Sequence, residues 1–267
     1  MRIALDAMGT DRHPAAEVEG AVQALRDLPA DFGIVLVGDR AQIEDELKRW
    51  PEAPLARLDI VHAPDIINPG EAAASAVRRK PNSSIVVGLS LQRHGEADAF
   101  VSAGSTGAVM AASLFLLRPL PGVDRPAVAT ILPTSVQPCL LIDAGANVDC
   151  KAFHLMQFAR LGGVYVEDVW RRPAPRVGLL NIGEEPEKGD EVSAEAHRLL
   201  RGSELNFVGN VEGRDIIKGV CDVLVADGFV GNVLLKFYES VMGFIHGLLA
   251  SELAEVRPSL DLDELFR

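Results

Sequence analysis

Residues 97–110, ADAFVSAGSTGAVM, pass from an apolar run into a small polar turn and then into small apolar residues. The apolar run covers residues 99–101, and serine, glycine and threonine fill residues 102–107. This spacing predicts a short strand, a tight turn and a helix over residues 108–117. The order of strand, turn and helix is the unit from which we expect the fold to be built.

The same order recurs along the chain. RIALDAM precedes the helical pattern of PAAEVEGAVQALRDL, in which Val18, Ala21, Val22, Leu25 and Leu28 are spaced as on one helix face, and FGIVLVGD precedes QIEDELKRW. Further apolar runs are LDIVHAP, PCLLIDAGAN, RVGLLNIGEE, LNFVGNVEG and CDVLVADGFVGN. Near-continuous apolar strands that alternate with helices are typical of a parallel sheet covered on both faces. The sequence therefore predicts an α/β fold with a mostly parallel sheet.

Polar and glycine residues gather directly after these strands. The six segments are residues 6–9, 102–107, 143–147, 181–185, 209–213 and 227–232. Because ligands of open parallel sheets bind at the carboxyl ends of the strands, we expect the six loops to meet at one edge and form a site. Taken singly, each loop is also explained as a tight turn that needs glycine for its backbone angles.

Composition limits the functions that this site can have. The chain has 267 residues, 48% of them apolar and 24% charged, which is typical of a soluble globular protein. Its apolar runs are shorter than the roughly 18 to 20 residues that span a bilayer, and MRIALDAMG lacks a signal-peptide core, so we expect a cytoplasmic protein. The three cysteines suggest reduced, mostly buried thiols. The net charge of −12 argues against a nucleic-acid partner.

The polar turn SAGSTGA has the features of an anion cradle. Its glycines allow close backbone approach, its hydroxyls add donors, and the following helix offers a positive end worth ~0.3–1 kcal/mol, or up to ~2 when partly buried. We predict that phosphate binds the residues of this loop, which are Ser102, Gly104, Ser105, Thr106 and Gly107.

One turn is a weak anion site, so cationic side chains are expected nearby. The segment AVRRKPNSS places Arg78, Arg79 and Lys80 before Asn82 and Ser83, at the start of the helical stretch SIVVGLSLQRHG. We predict that these five residues contribute to the phosphate site. The alternative is a solvated helix start or an ordinary surface patch.

The familiar phosphate and hydrolase motifs are absent from this sequence. It has no GxxxxGK[ST], the glycines of GSTGA do not form GxGxxG, and no GxSxG elbow occurs. The histidines are scattered away from most of the loops. A free phosphate or a phosphate ester therefore fits better than a nucleotide, and a Ser-His-Asp hydrolase is disfavoured.

Eight segments together resemble the PlsX family, the phosphate acyltransferases of bacterial phospholipid synthesis. They are DAMGTD (6–11), AVRRKPNSS (76–84), SAGSTGA (102–108), DRPA (124–127), DAGANVDCK (143–151), RVGLLNIGEEPEKG (176–189), FVGNVEGRD (207–215) and DGFVGNV (227–233). The resemblance runs in order from residue 1 to about residue 250. Its length makes it specific.

The resemblance implies a reaction in which acyl-[acyl carrier protein] and inorganic phosphate give acyl phosphate and the free carrier protein. It implies a single domain over residues 1–267, with a three-layer αβα sandwich similar to the isocitrate/isopropylmalate dehydrogenases and phosphotransacetylase. It also implies a homodimer, no metal or nucleotide cofactor, contact with the membrane surface and a downstream glycerol-3-phosphate acyltransferase.

The resemblance also suggests roles for individual residues. Lys188 and Asn232 match positions expected to bind phosphate or stabilise the oxyanion. A second set is expected to orient these donors rather than to carry the chemistry, namely Asp6, Asp143, Asn147, Glu184 and Asp227.

The chain departs from the family pattern at three places. Thr10 replaces the second glycine of DAMGGD and Arg12-His13 precede Pro14, while Ser105 replaces the asparagine of SAGNTGA. Family members usually continue beyond DLDELFR into a glycine-rich segment, so we expect the usual carboxyl-terminal segment to be missing here.

The segment NVLLKFYESVMGFIHGLLASELAEV predicts an amphipathic helix. Its apolar face comprises Val233, Phe237, Val241, Phe244, Ile245, Leu248 and Leu249. We expect this helix to be buried or to form a dimer contact, because Lys236 is nearly its only cation and interfacial membrane helices are usually rich in lysine and arginine.

Two other functions remain compatible with the sequence. A phosphotransacetylase acting on a short acyl-CoA would share the fold, and a non-catalytic acyl-carrier or lipid-sensing module would keep the loops. For docking the acidic carrier protein, the basic residues available are Arg78, Arg79, Lys80, Arg118, Arg125, Arg171 and Arg172.

Overall fold

The computed structural model describes residues 1–256, with side chains as far as Ser251. The chain divides into two compact units, Met1–Pro121 and Gly122–Arg267. Each unit has its own sheet with helices around it. The predicted α/β class with mostly parallel strands is therefore confirmed, whereas the strands expected to share one sheet edge are divided between two sheets.

The first unit contains a four-stranded parallel sheet in the order β3-β2-β1-β4. Its strands are β1 (Arg2–Asp6), β2 (Gly33–Gly38), β3 (Leu58–His62) and β4 (Ala99–Val101). Its helices are α1 (Ala15–Asp27), α2 (Arg40–Leu47), α3 (Ala73–Arg79), α4 (Ser84–Arg93) and α5 (Thr106–Leu116), with a 3-10 turn at Leu55–Arg57. The chain leaves β1 for β2 on one side and returns to β4 on the other. A crevice therefore opens at the carboxyl ends of β1 and β4, where ligands of this kind of sheet bind.

Helix α1 follows the periodicity predicted for it. Val18, Ala21, Val22 and Leu25 are at most 1% exposed, and all but Val22 belong to the core cluster that includes Ile34 and Leu36 of β2. Burying a valine or leucine side chain stabilises a fold by ~1.5–3 kcal/mol. Leu28 lies after the helix and is 55% exposed, so its predicted place on the apolar face is wrong.

The second unit contains a five-stranded sheet in the order β5-β6-β9-β7-β8. Its strands are β5 (Ala129–Leu132), β6 (Cys139–Ile142), β7 (Arg176–Leu180), β8 (Asn206–Val211) and β9 (Val223–Val225). Its helices include α6 (Ala152–Asp168), α7 (Glu191–Arg201), α8 (Gly213–Ile216) and α9 (Gly228–Val256). Strand β5 is antiparallel to β6 at the sheet edge, and the sequence analysis missed it because it is short and half-exposed.

The six glycine-rich loops are divided between the two sheets. The loops after β1 and β4 belong to the first unit, and the loops after β6, β7, β8 and β9 belong to the second. The expectation that all six share one sheet edge is wrong, because the strands that carry them are paired in separate sheets. Each unit therefore has its own set of carboxyl-end loops.

Helix α9 is the longest helix in the described part of the chain. Leu234, Leu235 and Tyr238 pack on the core of the second unit. The opposite face is exposed, with Phe237 at 63% and Phe244 at 69%. Burial against its own chain, one of the two expectations for this helix, is therefore wrong over most of its length.

Helix α9 contains a longer apolar stretch than the sequence analysis expected. Gly228–Ser251 is long and apolar enough to cross a membrane by length and composition, with a mean hydropathy of 1.3. The sequence analysis missed this because Lys236 and Glu239 interrupt the apolar runs. Length and composition alone do not distinguish a spanning helix from one that covers another surface.

The cysteines are free thiols. Cys139 and Cys221 are buried with their sulfur atoms 3.8 Å apart, and Cys150 is half-buried. The contact with Cys221, together with burial, raises the pKa of the Cys139 thiol far above its ordinary value. The Cys139 thiol therefore stays protonated at neutral pH, and both thiols are buried core residues.

Candidate functional site

A buried carboxylate, Asp6, ties together the two loops at the crevice of the first unit. Its Oδ1 accepts from the Met8 N–H at 3.0 Å, and its Oδ2 accepts from the Ser102 hydroxyl at 2.6 Å. The Ser102 oxygen in turn accepts from the Gly104 N–H at 3.0 Å. Asp6 is only 1% exposed, so this chain of hydrogen bonds fixes the SAGSTGA loop from inside. Ser102, predicted to bind phosphate, is thus engaged within the protein as a positioning group.

The loops after β1 and β4 touch through their backbones. A Cβ atom added to Gly9 would lie 2.8 Å from the Gly104 nitrogen and 3.1 Å from the Ala103 nitrogen. Only glycine allows this approach. Gly9, the glycine of DAMGTD, is therefore required by packing, whatever ligand the loops hold.

A cavity of about 180 Å³ lies beside these two loops. Residues of the β1 loop, the segment 66–69, the beginning of α4 and the β4 loop surround it. They are Asp6, Met8, Gly9, Thr10, Asp11, His13, Ile66, Ile67, Asn68, Pro69, Ser84, Ile85, Gly104 and Ser105. Ser105 and Gly104 were predicted to bind phosphate and do line this cavity. Ser84, the last residue of AVRRKPNSS, was not predicted to belong to the site.

The basic cluster ends α3 and does not line this cavity. Lys80 donates to Glu71 at 2.6 Å and to the Ile66 carbonyl at 2.7 Å, and Arg79 lies 3.8 Å from Glu71. The Lys80 ammonium and then the Asn68 N–H hold the pKa of the Glu71 carboxyl below its usual range. Lys80 therefore holds the cavity-wall segment in place, and its predicted contact with phosphate finds no support in this geometry.

The third cation of this cluster faces elsewhere. The Arg78 guanidinium lies over the ring of Phe115, 4.9 Å from its centre. Arg78 and Phe115 are both exposed, so together they form a mixed cationic and aromatic surface on the first unit. This arrangement suits contact with a partner better than capture of a small ion.

The serines at the helix starts act as caps. Ser83 is fully buried and accepts from the Val86 N–H at 3.5 Å, while its neighbour Asn82 is exposed. Ser105 accepts from the Ala108 N–H at 3.4 Å. The residues that open α5, Thr106 and Gly107, are exposed. Helix α5 therefore begins two residues earlier than predicted, and in its first turn the N–H groups of Thr106 and Gly107 have no acceptor within the described residues.

In the second unit, the buried Asp143 organises the loop after β6. It is fully buried and accepts five hydrogen bonds of 2.7–3.1 Å. The donors are the backbone N–H groups of Val128, Gly145, Ala146 and Asn147 and the Asn147 side-chain amide. The same amide donates to the Pro126 carbonyl at 2.8 Å. These are the contacts of orienting residues, as predicted for Asp143 and Asn147, although their effect on a reaction stays a prediction.

The beginning of α9 packs against this loop. Asp227 caps the helix by accepting from the Phe229 and Val230 N–H groups at 2.8 and 3.0 Å. Gly231 lies so close to the Asp143 carbonyl oxygen that a Cβ atom would overlap it. Asn232 is exposed and borders Gly145, where an added Cβ would lie 3.4 Å from its Cγ. Its amide makes no hydrogen bond within residues 1–256 and is free to meet a ligand.

Lys188 lies on the loop after β7. Its aliphatic stem crosses Gly183, where an added Cβ would lie 2.8 Å from the Lys188 Cγ, and its carbonyl accepts from the Asn181 amide at 2.9 Å. The ammonium has no ion pair within the described residues. Glu184, predicted to orient a donor, is exposed and has no hydrogen-bond partner within residues 1–256, so this structure provides no contact for that role.

The sequence analysis missed the side chains that hold the Lys188 loop. The Asn210 amide donates to the Glu185 carbonyl at 2.7 Å, and its oxygen lies 3.0 Å from Nδ1 of the buried His197. His197 packs edge-on against Phe207. No sequence motif links these residues, because strand β8 and helix α7 bring them together only in the fold.

The geometry favours charge compensation and positioning over proton transfer. The buried carboxylates Asp6 and Asp143 are both occupied as hydrogen-bond acceptors. By contrast, each unit has donors without an acceptor in the described residues: the Thr106 and Gly107 N–H groups in the first unit, and the Lys188 ammonium and the Asn232 amide in the second. Donors of this kind stabilise an anion or a developing oxyanion.

Comparisons with known proteins connect this geometry to a family. The model of a family described as fatty acid synthesis protein matches residues 1–261. A phosphate acyltransferase from Salinibacter ruber is 51% identical over 253 residues, covering 94% of this chain and 75% of that protein. One from Desulforamulus reducens is 49% identical over 256 residues, with 96% and 76% coverage.

Solved structures are similar in fold. The EutD phosphotransacetylase from Staphylococcus aureus superposes with a TM-score of 0.62 at 17% identity, covering 91% of this chain and 82% of that one. A branched-chain phosphotransacylase from Enterococcus faecalis gives a TM-score of 0.55 at 17% identity, with 88% and 83% coverage. At this identity the likeness shows the fold alone, and it confirms the predicted αβα sandwich.

Proposed function

Because the chain belongs to the fatty acid synthesis family of phosphate acyltransferases, we propose that it transfers a fatty acyl group from acyl carrier protein to inorganic phosphate. An oxygen of hydrogen phosphate attacks the thioester carbonyl carbon and forms a tetrahedral oxyanion, and the C–S bond breaks as this oxyanion collapses. The carrier thiolate leaves and takes up the proton that hydrogen phosphate carried. The products are acyl phosphate and free carrier protein.

The observation that carries this proposal is the loop SAGSTGA, fixed from inside by Asp6. Asp6 accepts from Ser102, Ser102 accepts from Gly104, and α5 follows with Thr106 and Gly107 exposed. A rigid set of backbone donors is suited to a small anion. Phosphate near neutral pH is largely a dianion already, so it can attack a thioester without a strong general base.

We assign Lys188 and Asn232 of the second unit to phosphate binding or oxyanion stabilisation. Lys188 is exposed on the loop after β7, Asn232 is exposed near the beginning of α9, and each carries a donor without an acceptor in the described residues. Asp143, Asn147 and Asp227 support Asn232 by fixing the loop after β6 and the beginning of α9.

In the proposed mechanism, most of the rate acceleration comes from positioning phosphate against the thioester. Holding phosphate against the thioester is an effect that can lower a barrier by ~7–11 kcal/mol. Each well-placed donor to the oxyanion adds ~2.7–4 kcal/mol. The absence of a catalytic histidine motif from the sequence is consistent with this mechanism.

The alternative is transfer of a short acyl group from acyl-CoA to phosphate, and a comparison of acyl donors tests it. The phosphotransacetylase is similar to this chain in fold at 17% identity. The two phosphate acyltransferases are 51% and 49% identical to it in sequence. We expect turnover with long-chain acyl carrier protein to exceed turnover with acetyl-CoA under identical phosphate concentrations. Preference for acetyl-CoA would reverse the assignment. A protein inert toward both donors would instead fit a non-catalytic lipid-binding module.

For the carrier protein, we propose docking on the exposed cations of the first unit. Arg78 and Arg79 lie on α3 next to the exposed Phe115, which gives charge complementary to an acidic partner and an apolar contact. Charge reversal at Arg78 and Arg79 is expected to raise the Michaelis constant for the acyl carrier protein more than that for phosphate. Equal changes in both would exclude this docking surface.

The exposed face of α9 is proposed as a dimer contact, with peripheral membrane association as the competing use. Phe237 and Phe244 lie on this face, which has few cations to meet a membrane surface. We expect Phe237→Glu together with Phe244→Glu to convert a dimer into a monomer by light scattering, while Lys236→Gln leaves it a dimer. A monomeric wild-type protein would contradict the dimer contact. Sedimentation of the wild type with liposomes that is lost in the double variant would also contradict it.

A further inference from the structure

We infer that Asn181 and Asn210 are positioning residues for Lys188, and that His197 acts on Lys188 through Asn210. This inference rests on the proposed function, in which the Lys188 ammonium meets the reacting anion. Lys188 lies on residues 181–190, which join β7 to α7 and are exposed from residue 184 onwards. The backbone of such a segment must be fixed, because a displacement of about 1 Å can lower a rate by on the order of 10²-fold.

Two asparagines fix the backbone on either side of Lys188. The Lys188 N–H donates to the Glu185 carbonyl at 3.1 Å, and the Asn210 amide donates to the same oxygen at 2.7 Å. The Lys188 carbonyl accepts from the Asn181 amide at 2.9 Å. The next residue is Gly189, with φ +92°, where an added Cβ would lie 2.8 Å from Oδ1 of Asn181. Both polar backbone groups of Lys188 are therefore linked to a side chain at the end of a strand.

A bulge in β8 aims the Asn210 side chain. The register between β7 and β8 shifts after Val177, and Val208 is the extra residue of β8. Side chains three positions apart normally lie on opposite faces of a strand, and one extra residue between them brings them to the same face. Phe207 and Asn210 accordingly both contact His197 of α7. The bulge therefore turns Asn210 toward the helix that follows the Lys188 segment.

His197 fixes the orientation of the Asn210 amide. A carbonyl oxygen can only accept, so the Asn210 atom that meets Glu185 is the amide nitrogen. The Asn210 oxygen faces Nδ1 of His197 at 3.0 Å, and Nδ1 carries the hydrogen of that bond. His197 and Asn210 are 5% and 8% exposed, so the bond between them is shielded from water. Nε2 of His197 is buried without a partner in the described residues, so the ring holds the amide and does not relay a proton.

A double-mutant cycle in the full chain tests whether Asn210 acts through Lys188. At saturating acyl carrier protein, we expect Asn210→Ala to lower kcat/KM for phosphate about tenfold, because the turn that carries Lys188 loses its anchor. In the Lys188→Ala background the same substitution should change kcat/KM by less than about twofold, because the group that it positions is gone. An equal loss in both backgrounds would overturn the inference, since a purely structural effect does not depend on Lys188.

Asn206→Ala is the matched control for Asn210→Ala. Asn206 lies at the other end of β8, and its amide also donates to a backbone carbonyl, that of Ala174, at 2.9 Å. Its replacement should leave kcat/KM for phosphate unchanged. Asn181→Ala provides a second arm of the test in case Asn210→Ala fails to fold in circular dichroism. It should lower kcat/KM in the wild-type background and not in the Lys188→Ala background, and equal losses in the two would overturn the inference.

Two substitutions of His197 test its role as a donor to Asn210. His197→Asn keeps a donor at the δ position and should stay within about threefold of the wild-type kcat/KM, whereas His197→Leu should lower it about tenfold. Equal losses in the two folded variants would exclude His197 from the positioning of Lys188.

Hydrogen exchange of residues 181–190, followed by mass spectrometry, measures the anchoring of this segment without turnover. We expect faster exchange in Asn210→Ala than in the wild type or Asn206→Ala, and unchanged exchange would overturn the anchoring. If exchange is faster but the wild type forms no acyl phosphate, the proposed function fails and the anchoring of Lys188 stands. If the wild type forms acyl phosphate but the effect of Asn210→Ala persists without Lys188, the inference fails and the function stands.

Discussion

Replacing Lys188 with alanine is expected to lower the rate of acyl-phosphate formation at least about tenfold, and as much as the ~10²–10³-fold that removal of one oxyanion donor costs. The Lys188 ammonium has no ion pair within the described residues, so its charge is available to the reacting anion. Asn232→Ala should have an effect of the same size, because the free amide on α9 is lost. Steady-state rates at saturating acyl carrier protein and phosphate measure the effects of both substitutions.

A second lysine serves as the control for this experiment. Lys218 is exposed and donates to Asp215 at 2.6 Å, away from the loop of Lys188. Lys218→Ala should leave the rate unchanged, and circular dichroism should show that all three variants are folded. Wild-type rates in both Lys188→Ala and Asn232→Ala would remove these residues from the catalytic assignment.

Replacing Asp143 with alanine is expected to destabilise the protein by at least about 3 kcal/mol. Four backbone N–H groups lose their acceptor; those of Val128, Ala146 and Asn147 are half-buried, and an unsatisfied buried donor costs ~1–3 kcal/mol. The loop after β6 and the beginning of α9 both depend on this carboxylate, so Asn232 would lose its position as well. Urea unfolding followed by circular dichroism measures the change in free energy.

Glu184→Ala is the matched control for the loss of Asp143. Glu184 is also an acid at the carboxyl end of a strand of this sheet, but it is exposed and without a hydrogen-bond partner in the described residues. Its replacement should change the free energy of unfolding by less than ~0.5 kcal/mol. If Asp143→Ala were as mild as this control, the buried carboxylate would not be the organising group of the loop.

Much of the fold could be predicted because its strands are apolar runs that end in polar turns. Strands β1, β2, β7 and β9 lie within the predicted segments, and α1 follows its apolar spacing. The pairing of strands could not be predicted in the same way. The division of the loops between two sheets depends on contacts between strands far apart in the sequence, such as β6 with β9.

The site was predicted less completely, because residue type does not show what a side chain contacts. Lys80 has the charge to bind phosphate, but Glu71 and the Ile66 carbonyl occupy its ammonium. Ser102 has a suitable hydroxyl, but Asp6 accepts its proton. Ser84 lies within a quoted motif, and only the fold shows that it lines the cavity.

The central claim is that this chain forms acyl phosphate. The direct measurement incubates the protein with long-chain acyl carrier protein and inorganic phosphate, traps acyl phosphate with hydroxylamine and quantifies the hydroxamate. The account predicts hydroxamate that depends on both phosphate and enzyme, released with an equal amount of free carrier thiol. Thiol release without hydroxamate, or no consumption of the acyl carrier protein, would contradict it.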